Sequence, residues 1–237
     1  MVEPANKTSG ELIYGDVISQ GKRFFPGWPV GAEVAGPNGQ SGWLGQEIPT
    51  ASGSSTWAAY GYNFLRYVMP APKSGPIAAD PIKAFANFDI DTYPAQAEEF
   101  RQIIDARDTD LSAFRKRGGK LLMYYGWADP QLNPRMGVEY YEDVVKQMGD
   151  STGDFFLLFM VPGMFHCGGG VGTSVFDAAT PLVNWVEAAK APIRIEASRV
   201  VDNKAVRTRP LCPYPQVARY KGSGSIDESS NFSCTNP

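Results

Sequence analysis

Phe155-Phe156-Leu157-Leu158-Phe159-Met160-Val161-Pro162-Gly163-Met164-Phe165-His166-Cys167-Gly168-Gly169-Gly170 is the stretch whose reading decides the fold. Its first six residues form an apolar run of the length and kind that makes a fully buried strand in a parallel sheet. A glycine-rich loop comes next and holds the only histidine in 237 residues. Open α/β sheets place their functional groups just beyond the carboxyl ends of the strands, and His166 falls there. A lone histidine is also often a structural hydrogen-bonding group. Two features weigh toward chemistry: Phe165 and Cys167 give the imidazole an apolar, cross-linkable setting, and a second strand end supplies a carboxylate.

That second strand end is Gly118-Gly119-Lys120-Leu121-Leu122-Met123-Tyr124-Tyr125-Gly126-Trp127-Ala128-Asp129-Pro130. Leu121 to Tyr125 read as another buried strand, and Gly126 lets the backbone turn sharply as it leaves the sheet. Pro130 pushes Asp129 into an extended or turn conformation, from which its carboxylate can point back over the sheet. Taken alone, Asp129-Pro130 is a plain turn. Aspartate on one strand-end loop and histidine on the next give the tail of the Ser…Asp/Glu…His order of α/β-hydrolases.

The flanking segments support alternation of strand and helix. Val138, Tyr141, Val144, Val145 and Met148 recur at helical spacing over 135–148, which Gly149 ends. Leu182, Trp185, Val186 and Ala189 do the same over 177–190. Strand, helix, strand, helix predicts an α/β arrangement with parallel pairing. Segments 193–201 and 205–208 read as short extended pieces. Upstream, 57–69 places Tyr60, Phe64, Tyr67 and Val68 on one helical face, expected in the core, with Thr56 as N-cap and Pro70 and Pro72 as stops. Helices are expected over 95–106 and 110–117, the second capped by Asp110. Asp89 and Asp91 suit a solvated turn better than a metal site. Residues 24–56, with Pro26, Pro29, Pro37 and Pro49, form a long irregular stretch of the kind that serves as a lid or binding loop. Trp28 and Trp43 lie in it, where an indole can equally well hold the loop together.

Three stretches together resemble the tannase/feruloyl esterase family: 118–130 as quoted, Met164-Phe165-His166-Cys167-Gly168-Gly169-Gly170, and Arg209-Pro210-Leu211-Cys212-Pro213-Tyr214-Pro215. The likeness runs from about Phe25 to the C-terminus. It implies a serine hydrolase with an α/β-hydrolase core, a lid domain inserted into that core, and a disulfide joining cysteines beside the catalytic serine and histidine. It gives Asp129 and His166 catalytic roles, directs Trp28 and Trp43 toward a substrate's aromatic ring, and places Leu132 near the acyl pocket. The implied substrates are esters of aromatic acids such as ferulate or gallate.

One departure matters. The family's serine sits in a Gly-Cys-Ser-x-Gly elbow, and no Gly-x-Ser-x-Gly occurs in these 237 residues. Gly53-Ser54-Ser55 and Gly222-Ser223-Gly224 lack the strand-turn-helix context that exposes such a serine. The expectation is therefore the C-terminal part of an α/β-hydrolase sheet with helices on its faces, preceded by the end of the inserted lid domain. Residues 1–80 would be lid, and 81–237 core with a disulfide-closed tail. The serine, the oxyanion hole and the family's lid calcium site would belong to a segment upstream of Met1, so no cofactor is expected on this chain. Without that segment the sheet would present a bare apolar edge.

Cys212 and Cys234 flank a Pro/Gly/Ser-rich tail, and a disulfide between them would close a loop worth roughly 3 kcal/mol. Reduced thiols in a cytosolic protein are the alternative. Cys167 is left over, and the resemblance assigns its partner to the cysteine beside the absent serine. Cysteine usage and resemblance together point to a secreted or periplasmic protein, although Met1 to Gly10 do not form a signal peptide. A net charge of −3 with mixed signs gives no nucleic-acid footprint, and no apolar run approaches the roughly 18 residues of a membrane span. Two functions stay open: an esterase portion completed by a missing N-terminal segment or polypeptide, or an inactive module that binds aromatic ligands.

Overall fold

The computed structural model describes residues 14–33, 35–46, 55–68, 79–80, 83–84, 88–89, 91–92, 95 and 97–237. Pro49, Ser54 and the expected helix stops Pro70 and Pro72 lie outside them. In chain order the elements are β1 (Val17–Ser19), β2 (Lys22–Phe25), α1 (Trp43–Gln46), α2 (Thr56–Asn63), α3 (Glu98–Ile104), α4 (Ser112–Lys116) and β3 (Leu121–Gly126). They continue with α5 (Pro134–Met148), β4 (Phe156–Val161), β5 (Val175–Phe176), α6 (Ala179–Ala188), β6 (Ile195–Val201), β7 (Lys204–Leu211), β8 (Val217–Tyr220) and β9 (Phe232–Thr235).

β3 and β4 pair in parallel, Leu121 opposite Phe156 through Gly126 opposite Val161. Side chains of a strand alternate between faces, and β4 fills both. Leu157, Phe159 and Val161 pack with Met164, Trp185 of α6, and Ile195, Ala197 and Leu211 of β6 and β7. Phe156, Leu158 and Met160 pack with Val138, Tyr141 and Val144 of α5. The two helices therefore lie on opposite faces. Pro134 begins α5 behind an Asn133 cap, and Gly149 at φ 78° ends it. Val186 of α6 faces solvent, contrary to the sequence expectation; the helix buries only Trp185, so its contact stripe is narrow.

The two strands differ at their outer edges. In a parallel ladder alternate residues bond to one neighbour and the rest point the other way. The Leu121 N–H donates to Phe155 O, which turns Leu122, Tyr124 and Gly126 away from β4. β4 is covered on its far side, where Tyr214 N–H donates to Leu158 O at 2.7 Å and Phe159 bridges Pro213.

The C-terminal third is antiparallel rather than parallel. β5, β6 and β7 form one sheet, with Asp202 and Asn203, both at positive φ, making the two-residue turn between β6 and β7. β8 and β9 form a further hairpin, where the sequence suggested only a loose tail. Cys212 and Cys234 are disulfide-bonded, their Cα atoms 5.5 Å apart. Hydrogen bonds add to the staple: Asp227 O accepts from Thr208 N–H, and the Ser229 N–H donates to the Thr208 hydroxyl.

Helix α2 overturns one expectation. Tyr60, Phe64, Tyr67 and Val68 are exposed, while Tyr62 and Leu65 are buried. The apolar stripe exists, but the body of the protein lies against the other face, where the Tyr62 hydroxyl donates to Ala79 O. From Phe64 to Val68 the helix also widens into a π turn, which shifts the register of the stripe. Its cap is Ser55, accepting from Ala58 N–H, rather than Thr56. Helices α3 and α4 are shorter than expected, and Asp110 holds the Ser112 N–H from just outside α4. Asp89 and Asp91 form an exposed turn; Asp89 accepts from Asp91 N–H and the Thr92 hydroxyl.

Candidate active site

The loops that leave β3 and β4 are joined main chain to main chain. Trp127 N–H donates to Val161 O at 2.9 Å, and Ala128 N–H to Met164 O at 3.1 Å. The approach requires Gly126: a Cβ there would lie 2.2 Å from Met164 O. Each loop thus fixes the other before any side chain contributes.

Asp129 is buried, with 5% of its side chain exposed, and both oxygens are engaged. Oδ1 accepts from Gln131 and Leu132 N–H at 2.8 and 2.9 Å. Oδ2 lies 2.9 Å from His166 Nδ1. In the tautomer protonated at Nδ1 the ring donates to Asp129 Oδ2, which suits a carboxylate whose other oxygen already accepts two amide protons. That leaves Nε2 with its lone pair. The imidazole is one-third exposed and borders a cleft of about 280 Å³ lined by Tyr124, Tyr125, Gly126, Asp129, Leu132, Met164, His166 and Cys167. Burial, with smaller contributions from Asp129 and Cys167, pushes the Tyr125 phenol well above its ordinary pKa, so it stays neutral.

The structure also places the other residues singled out in the sequence. Leu132 is exposed at the cleft. Trp43 is buried with Ala32, Ala128 and Phe165, and Trp28 packs against that cluster. Neither indole lines the cleft; both lie under the loops that do. Cys167 is a free, exposed thiol at φ 60°. Among the described residues no group of three or more His, Cys, Asp or Glu side chains could hold a metal ion.

Two residues the sequence did not single out complete the arrangement. Asn133 is buried; its Nδ2 donates to Pro26 O and Gly27 O while Oδ1 caps α5 through Arg135 N–H. Its signal was available: asparagine directly before a proline that opens a helix is a capping pattern. Gln40 reaches the glycines after His166, Nε2 donating to Gly168 O and Oε1 accepting from Gly170 N–H. No local pattern marks a glutamine whose partners are main-chain atoms 128 and 130 positions away.

Known proteins resemble this chain in sequence and in fold. The family described as "Tannase and feruloyl esterase" matches residues 11–235. Mono(2-hydroxyethyl) terephthalate hydrolase of Piscinibacter sakaiensis is 38% identical over 244 residues, covering 94% of this chain and 40% of that protein. A probable feruloyl esterase B-2 of Aspergillus terreus is 27% identical over 252 residues, covering 96% of this chain and 43% of its own length. Among solved structures, feruloyl esterase B from Aspergillus oryzae superposes with a TM-score of 0.78 at 23% identity, over 95% of this chain and 44% of that one. That last likeness is one of fold. The chain spans less than half the length of each of these three proteins.

Proposed function

The chain belongs to the tannase and feruloyl esterase family, and on that premise we propose that it carries the acid–base part of a serine carboxylic ester hydrolase acting on esters of aromatic acids. The observation that carries the reading is the 2.9 Å contact between His166 Nδ1 and Asp129 Oδ2, with the imidazole bordering an open cleft. Serine attacks the ester carbonyl as His166 Nε2 takes its proton; the imidazolium then returns that proton to the departing alcohol. Asp129 holds the tautomer and stabilises the imidazolium.

In this reading the serine and the oxyanion-hole amides come from a segment outside these 237 residues, since no Gly-x-Ser-x-Gly lies within them. Residues 1–80 are the end of a lid, and 81–237 complete the core. The outward edge of β3 is where further strands of the sheet would pair. Leu132 contacts the acyl group, and Trp28 and Trp43 shape the floor beneath. The exposed Cys167 thiol pairs with a cysteine beside the serine, and the Cys212–Cys234 disulfide favours a secreted or periplasmic setting.

The test is an assay with methyl ferulate and methyl gallate, first with the chain alone and then mixed with an N-terminal segment bearing the serine motif. The expected result is no turnover alone and turnover when complemented, lost by several orders of magnitude in His166→Ala. Turnover by the chain alone would overturn the division of the triad. Ligand binding without turnover in the complemented protein would instead support an aromatic-binding module.

A further inference from the structure

We propose that Gln40 is a positioning residue for His166, acting through the glycine loop that comes after the histidine. The proposal rests on the reading of His166 as the base, but its principal test does not.

Residues 167–170 all have positive φ: 60° at Cys167, 154° at Gly168, 69° at Gly169 and 78° at Gly170. A run of three glycines loses more backbone freedom on ordering than any other three residues, so bonds from outside add to the loop's own Gly168 N–H to Phe165 O and Gly172 N–H to Gly163 O bonds in holding it. Among the described residues, Gln40 supplies both hydrogen bonds that reach 167–170 from elsewhere in the chain: 3.1 Å to Gly168 O and 2.7 Å from Gly170 N–H. One planar amide thus grips two main-chain groups two residues apart, as a neighbouring strand would. The amide lies directly against Gly169. A Cβ on Gly169 would lie 2.3 Å from Gln40 Oε1.

The backbone that carries this amide is itself fixed. Gln40 O accepts from Gly36 N–H at 2.7 Å, and Gln40 N–H donates to Pro37 O. The turn is anchored in turn by Trp43 N–H on Ala32 O, in the cluster that packs Ala128 and Phe165 next to the two site residues. His166 lies between two anchors: the bond from Ala128 to Met164 before it and the Gln40 clamp after it. Releasing the second anchor frees the loop to carry the imidazole off the Asp129 oxygen, and small losses of such alignment are costly to a proton-transfer geometry.

His166 is the only histidine, so its ring gives one unambiguous set of nitrogen NMR signals in the whole chain. Three proteins should be compared: wild type, Gln40→Met, which keeps the bulk and removes both bonds, and Gln40→Glu, which keeps the acceptor for Gly170 N–H. In wild type the ring should show a single tautomer protonated at Nδ1. In Gln40→Met the Gly170 amide should exchange about tenfold faster, as for loss of one hydrogen bond, and the ring signals should shift toward a tautomer average. Gln40→Glu should restore the Gly170 protection but, with a carboxylate oxygen facing Gly168 O, leave the ring signals shifted part of the way. If ring signals stay at their wild-type positions while Gly170 protection falls, Gln40 is only a structural clamp and the proposal fails; unchanged Gly170 protection also overturns it. If Gln40→Met does not fold, Gln40→Glu against wild type decides by the Gly168 side of the grip, and unchanged ring signals there count against the proposal. In the complemented enzyme, Gln40→Met should lower kcat about tenfold with little change in KM. Full activity in His166→Ala would sink the proposed function yet leave the NMR result on Gln40 intact.

Discussion

Strands β3 and β4 lie side by side in register, each six residues long and almost wholly apolar, yet all six residues of β4 are buried and only Gly126 of β3 is. Composition does not explain this. β4 has β3 on one edge, the Pro213–Tyr214 strip on the other, and packed layers on both faces. β3 has one partnered edge among the described residues, and Tyr124 stays 43% exposed despite its edge-on contact with Phe176. An apolar run states that a strand wants burial; its neighbours decide how much it receives.

The largest expected effect tests that contrast directly. Phe159→Ala, deleting a fully buried ring of β4, should cost about 3–5 kcal/mol in denaturant unfolding, whereas Tyr124→Ala on β3 should cost about 1 kcal/mol. Equal costs would break the comparison. Next is the staple beside β4. Cys212→Ser with Cys234→Ser should cost about 3 kcal/mol, and hydrogen exchange should rise first in β8 and β9, before the β3–β4 pair. Intact mass after alkylation without reductant should show one labelled cysteine, Cys167; three labelled cysteines would rule the bond out.

Within β3 the ladder geometry sharpens the contrast to alternate residues. Amides of Leu122, Tyr124 and Gly126, turned from β4, should exchange faster than those of Met123 and Tyr125 by about tenfold or more. A complementing segment that adds a strand should remove the alternation. Smallest is a pH effect on the strip that covers β4. Burial, then the hydrogen bond to Glu142, pushes the Tyr214 phenol up to about 12 from 10.0. A raised folded-state pKa favours the protonated form, so the contribution is complete below about pH 10 and fades as pH rises toward about 12. Tyr214→Phe should flatten that alkaline slope in a stability–pH titration and lower stability slightly at neutral pH, where the hydrogen bond to Glu142 is intact.

What the sequence made legible was chemistry tied to local pattern. Two apolar runs, each leading into a turn and a functional group, pointed to β3, β4, Asp129 and His166, which the structure joins by a hydrogen bond. The helix over 134–148 was legible for the same reason, an apolar stripe punctuated by proline and glycine. Periodicity could not say which side of α2 would be covered, because Tyr60, Phe64 and Tyr67 make as good a stripe as any buried face. The β6–β7 hairpin was hidden because Asp202-Asn203 lacks the glycine that usually marks a two-residue turn. Gln40 was out of reach for a different reason: side chain to distant backbone is a contact with no sequence partner to recognise.

Asn133 has a consequence for how this protein ages. Asparagine side chains decay when the backbone nitrogen of the next residue attacks the side-chain carbonyl and closes a five-membered ring. Here the next residue is Pro134, whose nitrogen carries no hydrogen and cannot close it. The protection falls where damage would cost most. A carboxylate in place of that amide would face the carbonyl oxygens of Pro26 and Gly27 with no proton to offer, and the joint between the irregular N-terminal stretch and α5 would be pushed apart from within. The amide that fastens the two is thus set where ring closure by the following nitrogen is blocked.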